Sequence, residues 1–279
     1  MAFSSAEDRV DDDSFEAILT VLGGASSWKG YITPALAEAR KNIPKHAFQV
    51  FPPDDYRKEL AKIDPKATAA DTPGITTKTD GIIRMEGYFG TKSREAMLGL
   101  SLHETVHLVS HKPGRSGQKN SSAIGVLGEG LLEGLVETVT TDILLKQTIK
   151  LADPKRRAHQ KRVPVVQELM STYGIGIQLL GPVLFRGDSE RMFRLMEAAF
   201  TTAGWLEIQR LTTSNNPDGA KKRMGELRAA EERAHPGAFA ARLQQAGPAV
   251  AVPPAVKQSS AERPYVWHRG MSPPPPVRD

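Results

Sequence analysis

Apolar positions recur at helical spacing along most of this chain, interrupted by short stretches that alternate or that collect Gly, Pro and Thr. Residues 14–22 (Ser-Phe-Glu-Ala-Ile-Leu-Thr-Val-Leu) predict a helix with Ser14 as N-cap, stopped by Gly23-Gly24. Thr33-Pro34 opens a second short helix over about 33–42, with proline at the first helical position. His46 to Phe51 reads as a strand ended by Pro52-Pro53, and 64–81 as a loop rich in Thr, Pro, Asp and Gly. The segment 81–89 has strand character again. A helix follows from about Ser93 to His111, then a polar loop over 112–123, then the longest strongly apolar helix, about 128–150. Two more helices are predicted near 163–184 and 188–211, with Asp188 as a capping residue between them, and a charged helical pattern spans 219–245.

This order predicts an α+β protein that is mostly helical. A small N-terminal antiparallel sheet is expected, with a helical C-terminal half. A single domain should cover 1–246, its sheet-bearing part about 1–112 and its helical part about 113–246. From Gly247 the chain is dominated by Pro, Ala and Ser. Such a tail, 247–279, buries too little apolar surface to offset its ordering entropy and is expected to be disordered.

Composition narrows the chemistry. The 279 residues, 39% hydrophobic and 25% charged, suffice for an ordinary globular core. There is no cysteine, so disulfides and thiolate metal sites are excluded, and His, Asp and Glu remain as the strong ligands. A net charge of +5 is mild for this length. The densest basic run, Lys155, Arg156, Arg157, Lys161 and Arg162, reads as a solvated connector rather than an anionic contact, so no nucleic-acid partner is expected. The start of the chain lacks the basic and apolar stretches of a secretory signal, and no run approaches the roughly 18 apolar residues of a membrane span. A soluble, by default cytoplasmic, protein is expected, with export by a non-classical route left compatible.

The string Leu102-His103-Glu104-Thr105-Val106-His107-Leu108-Val109 carries the chemistry. Residues four apart lie on one helix face, so His103 and His107 can point at one metal ion, with Glu104 beside that face as a general base for metal-bound water. Zinc suits two neutral imidazoles and one carboxylate and lowers the pKa of its water to about 7. Leu100, Leu102, Val106, Leu108 and Val109 surround the pair, so the imidazoles are expected to be buried and to need a partner. A second helix offers one: Glu129, Glu133 and Glu137 stand at four-residue spacing on one face of an otherwise apolar pattern, where unpaired carboxylates would be costly. His111 lies two turns beyond His103, ~12 Å along the axis, too far to share the ion. Ser110 and Pro113 stand where a longer histidine-rich motif would need glycine and histidine.

On these residues the chain resembles the gluzincin group of zincin metallopeptidases, in which a Glu on a second helix completes the site. Gly128-Glu129-Gly130 resembles the group's ligand string, with Gly128 in place of Asn, and the resemblance covers about 80–138. It implies Glu129 as third ligand, Glu133 as the acid that orients His103, and one zinc per chain. Glu133 or Glu137 would take the ligand's place if the second helix packs differently. The resemblance also implies an edge strand before the metal helix that pairs with extended substrate, a place that 81–89 occupies in sequence. An oxyanion donor is expected besides the metal. Tyr173 is the candidate, with His159 behind it. The expected activity is zinc-dependent hydrolysis of peptide bonds in a peptide or protein substrate. The alternatives are a catalytically degenerate zincin acting as a metal-stabilised binding module, and a toxin-like effector protease.

Overall fold

A computed structural model describes residues 12–44, 47–69, 72–77, 81–86, 94–110, 123–147, 157–188 and 190–245. The polar loop 112–122, the basic residues Lys155 and Arg156, and the Pro-rich tail lie outside the described residues. Helices dominate. In chain order they are α1 (Asp12–Leu22), α2 (Lys29–Ala39), α3 (Pro53–Ile63), α4 (Arg94–Ser110), α5 (Ala123–Lys146), α6 (Arg157–Gln160), α7 (Val163–Ser171), α8 (Ile177–Arg186), α9 (Glu190–Phe200), α10 (Thr202–Thr213), α11 (Pro217–Ala234) and α12 (Ala238–Gln245). Three short strands, β1 (Phe48–Phe51), β2 (Gly74–Thr77) and β3 (Ile82–Glu86), form the sheet. No helix among the described residues is long and apolar enough to cross a membrane.

The sheet is mixed rather than antiparallel. Its order is β1-β3-β2, with β1 parallel to β3 and β2 antiparallel to it. Helix α3, unassigned in the sequence reading, lies between β1 and the hairpin, and a parallel pair needs such a crossover. The strand preceding α4 is therefore the central one, and β2, drawn from the expected loop 64–81, is the edge that packs on α4.

A single apolar cluster runs from Phe15 to Phe239, with α4 and α5 at its centre. Leu131, Leu132, Leu135, Val136, Val139, Ile143 and Leu144 of α5 are all buried, so apolar side chains leave this helix in every direction and it must be surrounded. Helices α4, α7 and α10 surround it. The backbone of α5 breaks at Gly128, whose φ of 72° and ψ of 162° are non-helical and natural to glycine. The break frees the Val126 carbonyl, which accepts from Trp205 Nε1 at 2.7 Å and Gln209 Nε2 at 2.6 Å. Two residues later Gly130 lies so close to α10 that a Cβ would stand 2.4 Å from the Thr213 nitrogen. At the other end Asp142 accepts from the backbone and hydroxyl of Ser27, at 2.7 and 3.0 Å.

Predicted helices were also split. Pro34 lies inside α2, which begins a turn before the expected start. The pattern over 163–184 breaks around Gly174 (φ 65°), that over 188–211 at Thr201 (φ 59°), and that over 219–245 at Gly237 (φ 75°). At Thr201 the side chain accepts from Gly204 N and caps α10, a turn that an apolar period running through it hides.

Gly130→Ala must push α10 off α5 and should destabilise the protein by about 1–3 kcal/mol in thermal unfolding. Gly225→Ala, exposed in α11 with no atom within 4 Å of the new methyl, should stabilise it by about 0.5–1 kcal/mol. Equal effects of the two substitutions would refute the packing argument.

Candidate metal centre

Helix α4 supplies the first two groups. His103 and His107, one turn apart, are 2% and 8% exposed and turn their Nε2 atoms toward each other at 3.2 Å. Across the interface, α5 brings in Glu133. Its Oε2 lies 3.1 Å from His103 Nε2 and 3.4 Å from His107 Nε2, and its Oε1 lies 3.3 Å from His107 Nε2. Glu137, one turn further along α5 and fully buried, reaches the other side of the His103 ring, with Oε2 3.0 Å from Nδ1. A carboxylate only accepts, so Nδ1 carries the hydrogen, and in the neutral ring the Nε2 lone pair faces His107 and Glu133.

His103, His107 and Glu133 form the group among the described residues that could hold a metal ion. The dimensions fit one. Ligand bonds of 2.0–2.2 Å in a tetrahedron put ligand atoms about 3.3–3.5 Å apart, and the three edges here are 3.1–3.4 Å. Two imidazole nitrogens and a carboxylate this close together suit a shared metal ion or a shared proton. When no metal is bound, a proton takes this role. Burial pushes His103 down, but its hydrogen bonds to Glu133 and Glu137 outweigh that and hold it at about 9. Burial likewise pushes Glu133 up, yet the His107 and His103 imidazoles keep it well below the usual carboxylate range.

The expected third ligand, Glu129, is not in this group. It is exposed, directly after the break at Gly128 and one turn, ~6 Å, before Glu133. Glu133 stands in its place, and Glu137 contacts His103 Nδ1, the orienting contact expected of Glu133. The string Glu129-Gly-Leu-Leu-Glu133-Gly-Leu-Val-Glu137 repeats itself every four residues, so spacing alone could not choose the level, although Glu133-Gly134 matches the same Glu-Gly pair.

Glu104 follows His103 in sequence and so points to another side of α4. It is 6% exposed and lies against the edge strand, where Thr76 Oγ1 is 2.7 Å from its Oε2 and 3.0 Å from its backbone oxygen. The approach requires Gly74, because a Cβ there would stand 3.0 Å from Glu104 Cγ. Tyr56 of α3, which the sequence reading missed along with that helix, lies near Glu104 and Glu86. Burial, and then these two charges, push its phenol well up, so it stays a donor, to Thr72 O at 2.7 Å.

Tyr173 is a core side chain. Its ring packs on Phe200 and Phe239, with centroids 5.1 and 5.8 Å away, and the Arg228 guanidinium covers it. His159, from α6, does reach the centre. Its ring lies 4.9 Å from that of His103, and its Nδ1 is 3.4 Å from Glu133 Oε2. Burial, then the His103 charge, push it down to about 4, so it is neutral at physiological pH.

Comparison of the chain with protein-family models, with curated proteins and with solved structures returned no match.

Three outcomes follow from this geometry. Glu133→Gln should lower zinc retention at least tenfold in a chelator competition, whereas Glu129→Gln should leave it within about twofold of the parent. The reverse pattern would restore Glu129 as the ligand. In the metal-free protein the His103 value is raised above its unfolded value of 6.5, so its contribution to stability is complete below pH 6.5 and is lost as pH rises through about 9. His159, held low, and Glu133, held low, change protonation below that window. Metal-free melting temperature should therefore fall from pH 6.5 to 9. Zinc uptake near pH 7 should release close to one proton, read by titration calorimetry in buffers of different ionisation enthalpy. No proton release at pH 7 would contradict the arrangement.

Proposed function

We propose that this protein is a zinc-dependent hydrolase that cleaves peptide bonds, with His103, His107 and Glu133 as the metal ligands and Glu104 as general base. The observation that carries the reading is the convergence of both imidazoles of the His-Glu-x-x-His string and one carboxylate on a single point, with Glu104 on the neighbouring side of the same helix. A zinc ion held there by two nitrogens and one oxygen leaves a coordination position open and supplies a Lewis acid and an acidified water. The chain's own residues do the rest. Glu137 keeps the hydrogen of His103 on Nδ1, so that Nε2 donates its lone pair. Thr76 engages Glu104 Oε2, leaving Oε1 as the oxygen assigned to accept a proton from water and return it to the leaving amine. The edge strand β2 lies on the Glu104 side of α4 and offers backbone groups to an extended peptide, which supports a peptide rather than a small ester as substrate.

A second reading has its own support. His103, His107 and Glu104 are nearly closed off from solvent and Glu104 is already hydrogen-bonded, as suits a metal that stabilises a binding module.

The two readings separate in one experiment. Purified parent and Glu104→Gln should each carry about one zinc per chain, and hydrolysis of an unfolded protein such as casein should fall at least 10²-fold in the variant, the contribution expected of a general base. Zinc retained with no hydrolysis by either protein would establish the binding module and end the enzymatic reading.

A further inference from the structure

Three imidazoles, not two, surround Glu133. His103 and His107 approach it from α4, and His159 approaches from the short helix α6 on the other side. The His159 ring lies over the His103 ring at 4.9 Å with 32° between the planes, so it belongs to the same buried stack. Its Nδ1 is buried, lies 3.4 Å from the carboxylate, and makes no hydrogen bond. A buried ring nitrogen left unpaired is costly. Its neighbour is an oxygen that can only accept, so the distance calls for the hydrogen to be on Nδ1, and a small rotation of the carboxylate closes the bond. Such contacts are commonly long until the bound group draws its ligands into place.

His159 is not one of the ligands in this arrangement. The ligand atoms of His103, His107 and Glu133 lie within 4.8 Å of one another, and His159 is outside that group. A ligating carboxylate has more lone pairs than a single metal bond uses, and a donor on the remaining one fixes its rotamer.

We infer that His159 is a positioning residue for the metal centre, donating Nδ1–H to the Glu133 carboxylate and so holding it in the orientation that binds the cation. The inference rests on the metal-binding part of the proposed function and not on the hydrolysis.

Asparagine and glutamine separate this role from simple packing, since an Asn side chain places its N–H near the position of Nδ1 and a Gln side chain near that of Nε2. Zinc dissociation constants of the parent, His159→Asn, His159→Gln and His159→Leu would be measured by chelator competition, alongside the visible spectra of their cobalt forms and metal-free unfolding curves. His159→Leu and His159→Gln should bind zinc about 10–100-fold more weakly, and His159→Asn should recover to within a few-fold of the parent. The cobalt bands of parent and His159→Asn should match, because no ligand has changed. Asn as weak as Leu, or all three variants binding like the parent, would overturn the inference and leave the metal reading standing. So would a cobalt band that loses a nitrogen ligand in every variant, which would make His159 a ligand itself. A parent protein that takes up no zinc would overturn both.

Discussion

Two imidazole nitrogens stand 3.2 Å apart with a carboxylate oxygen 3.1–3.4 Å from each, and this close array of electron pairs is the constraint to which the surrounding fold answers. It is satisfied by a hydrogen shared among these atoms or by a metal ion between them. The geometry that produces it is simple. His103 and His107 are one turn apart on α4, and Glu133 and Glu137 are one turn apart on α5. The two ladders have the same pitch, so the His103 ring is held between the carboxylates, one on each nitrogen. Such an array tolerates little sliding of one helix on the other. The close seat of Gly130 against α10, the donors from Trp205 and Gln209 at the break in α5, and the clamp of Asp142 on Ser27 fix α5 along its length to α10 and to the segment between α1 and α2.

Part of this was legible in the residues. The His-Glu-x-x-His string sits among apolar neighbours at helical spacing, and α4 forms where that pattern places it, buried on every side over residues 100–109 rather than on one face. The run of glutamates on an apolar helix likewise announced a polar demand inside the core. Which glutamate meets the imidazoles depends on how far α5 is advanced along α4, a tertiary quantity that no local spacing encodes, and a sequence repeating every four residues offers three equivalent answers. Tyr173 poses a different problem. A tyrosine in a helical segment after the site is equally at home in an aromatic cluster, and Phe200 and Phe239, distant in sequence, decide the matter.

The sheet shows the same division between local and non-local information. Strand β3 is apolar enough to read directly, whereas β2 is four residues, Gly-Ile-Thr-Thr, within a loop-like composition. Its strand character comes from pairing with β3 and from packing on α4. Glycine at its first position, within the loop expected over 64–81, is the residue that lets the Glu104 side chain lie against the strand.

His103 and Glu104 are consecutive, and a helix turns about 100° between consecutive residues. One side chain therefore faces α5 and the other the sheet edge, so that under the proposed reading the cation and the proton are handled on adjacent sides of one helix. Thr76 makes the second surface tolerant of a change in charge. Its hydroxyl lies within reach of both the Glu104 carboxylate and the Glu104 backbone oxygen, at 2.7 and 3.0 Å, and it has one hydrogen to give and lone pairs to accept with. An ionised Glu104 receives that hydrogen. When Oε1 takes up a proton, Oε2 keeps its lone pairs and still accepts from Thr76. The contact between Glu104 and Thr76 is kept in both states, so under the proposed reading the base can cycle between its two forms without rearranging the strand on which it lies.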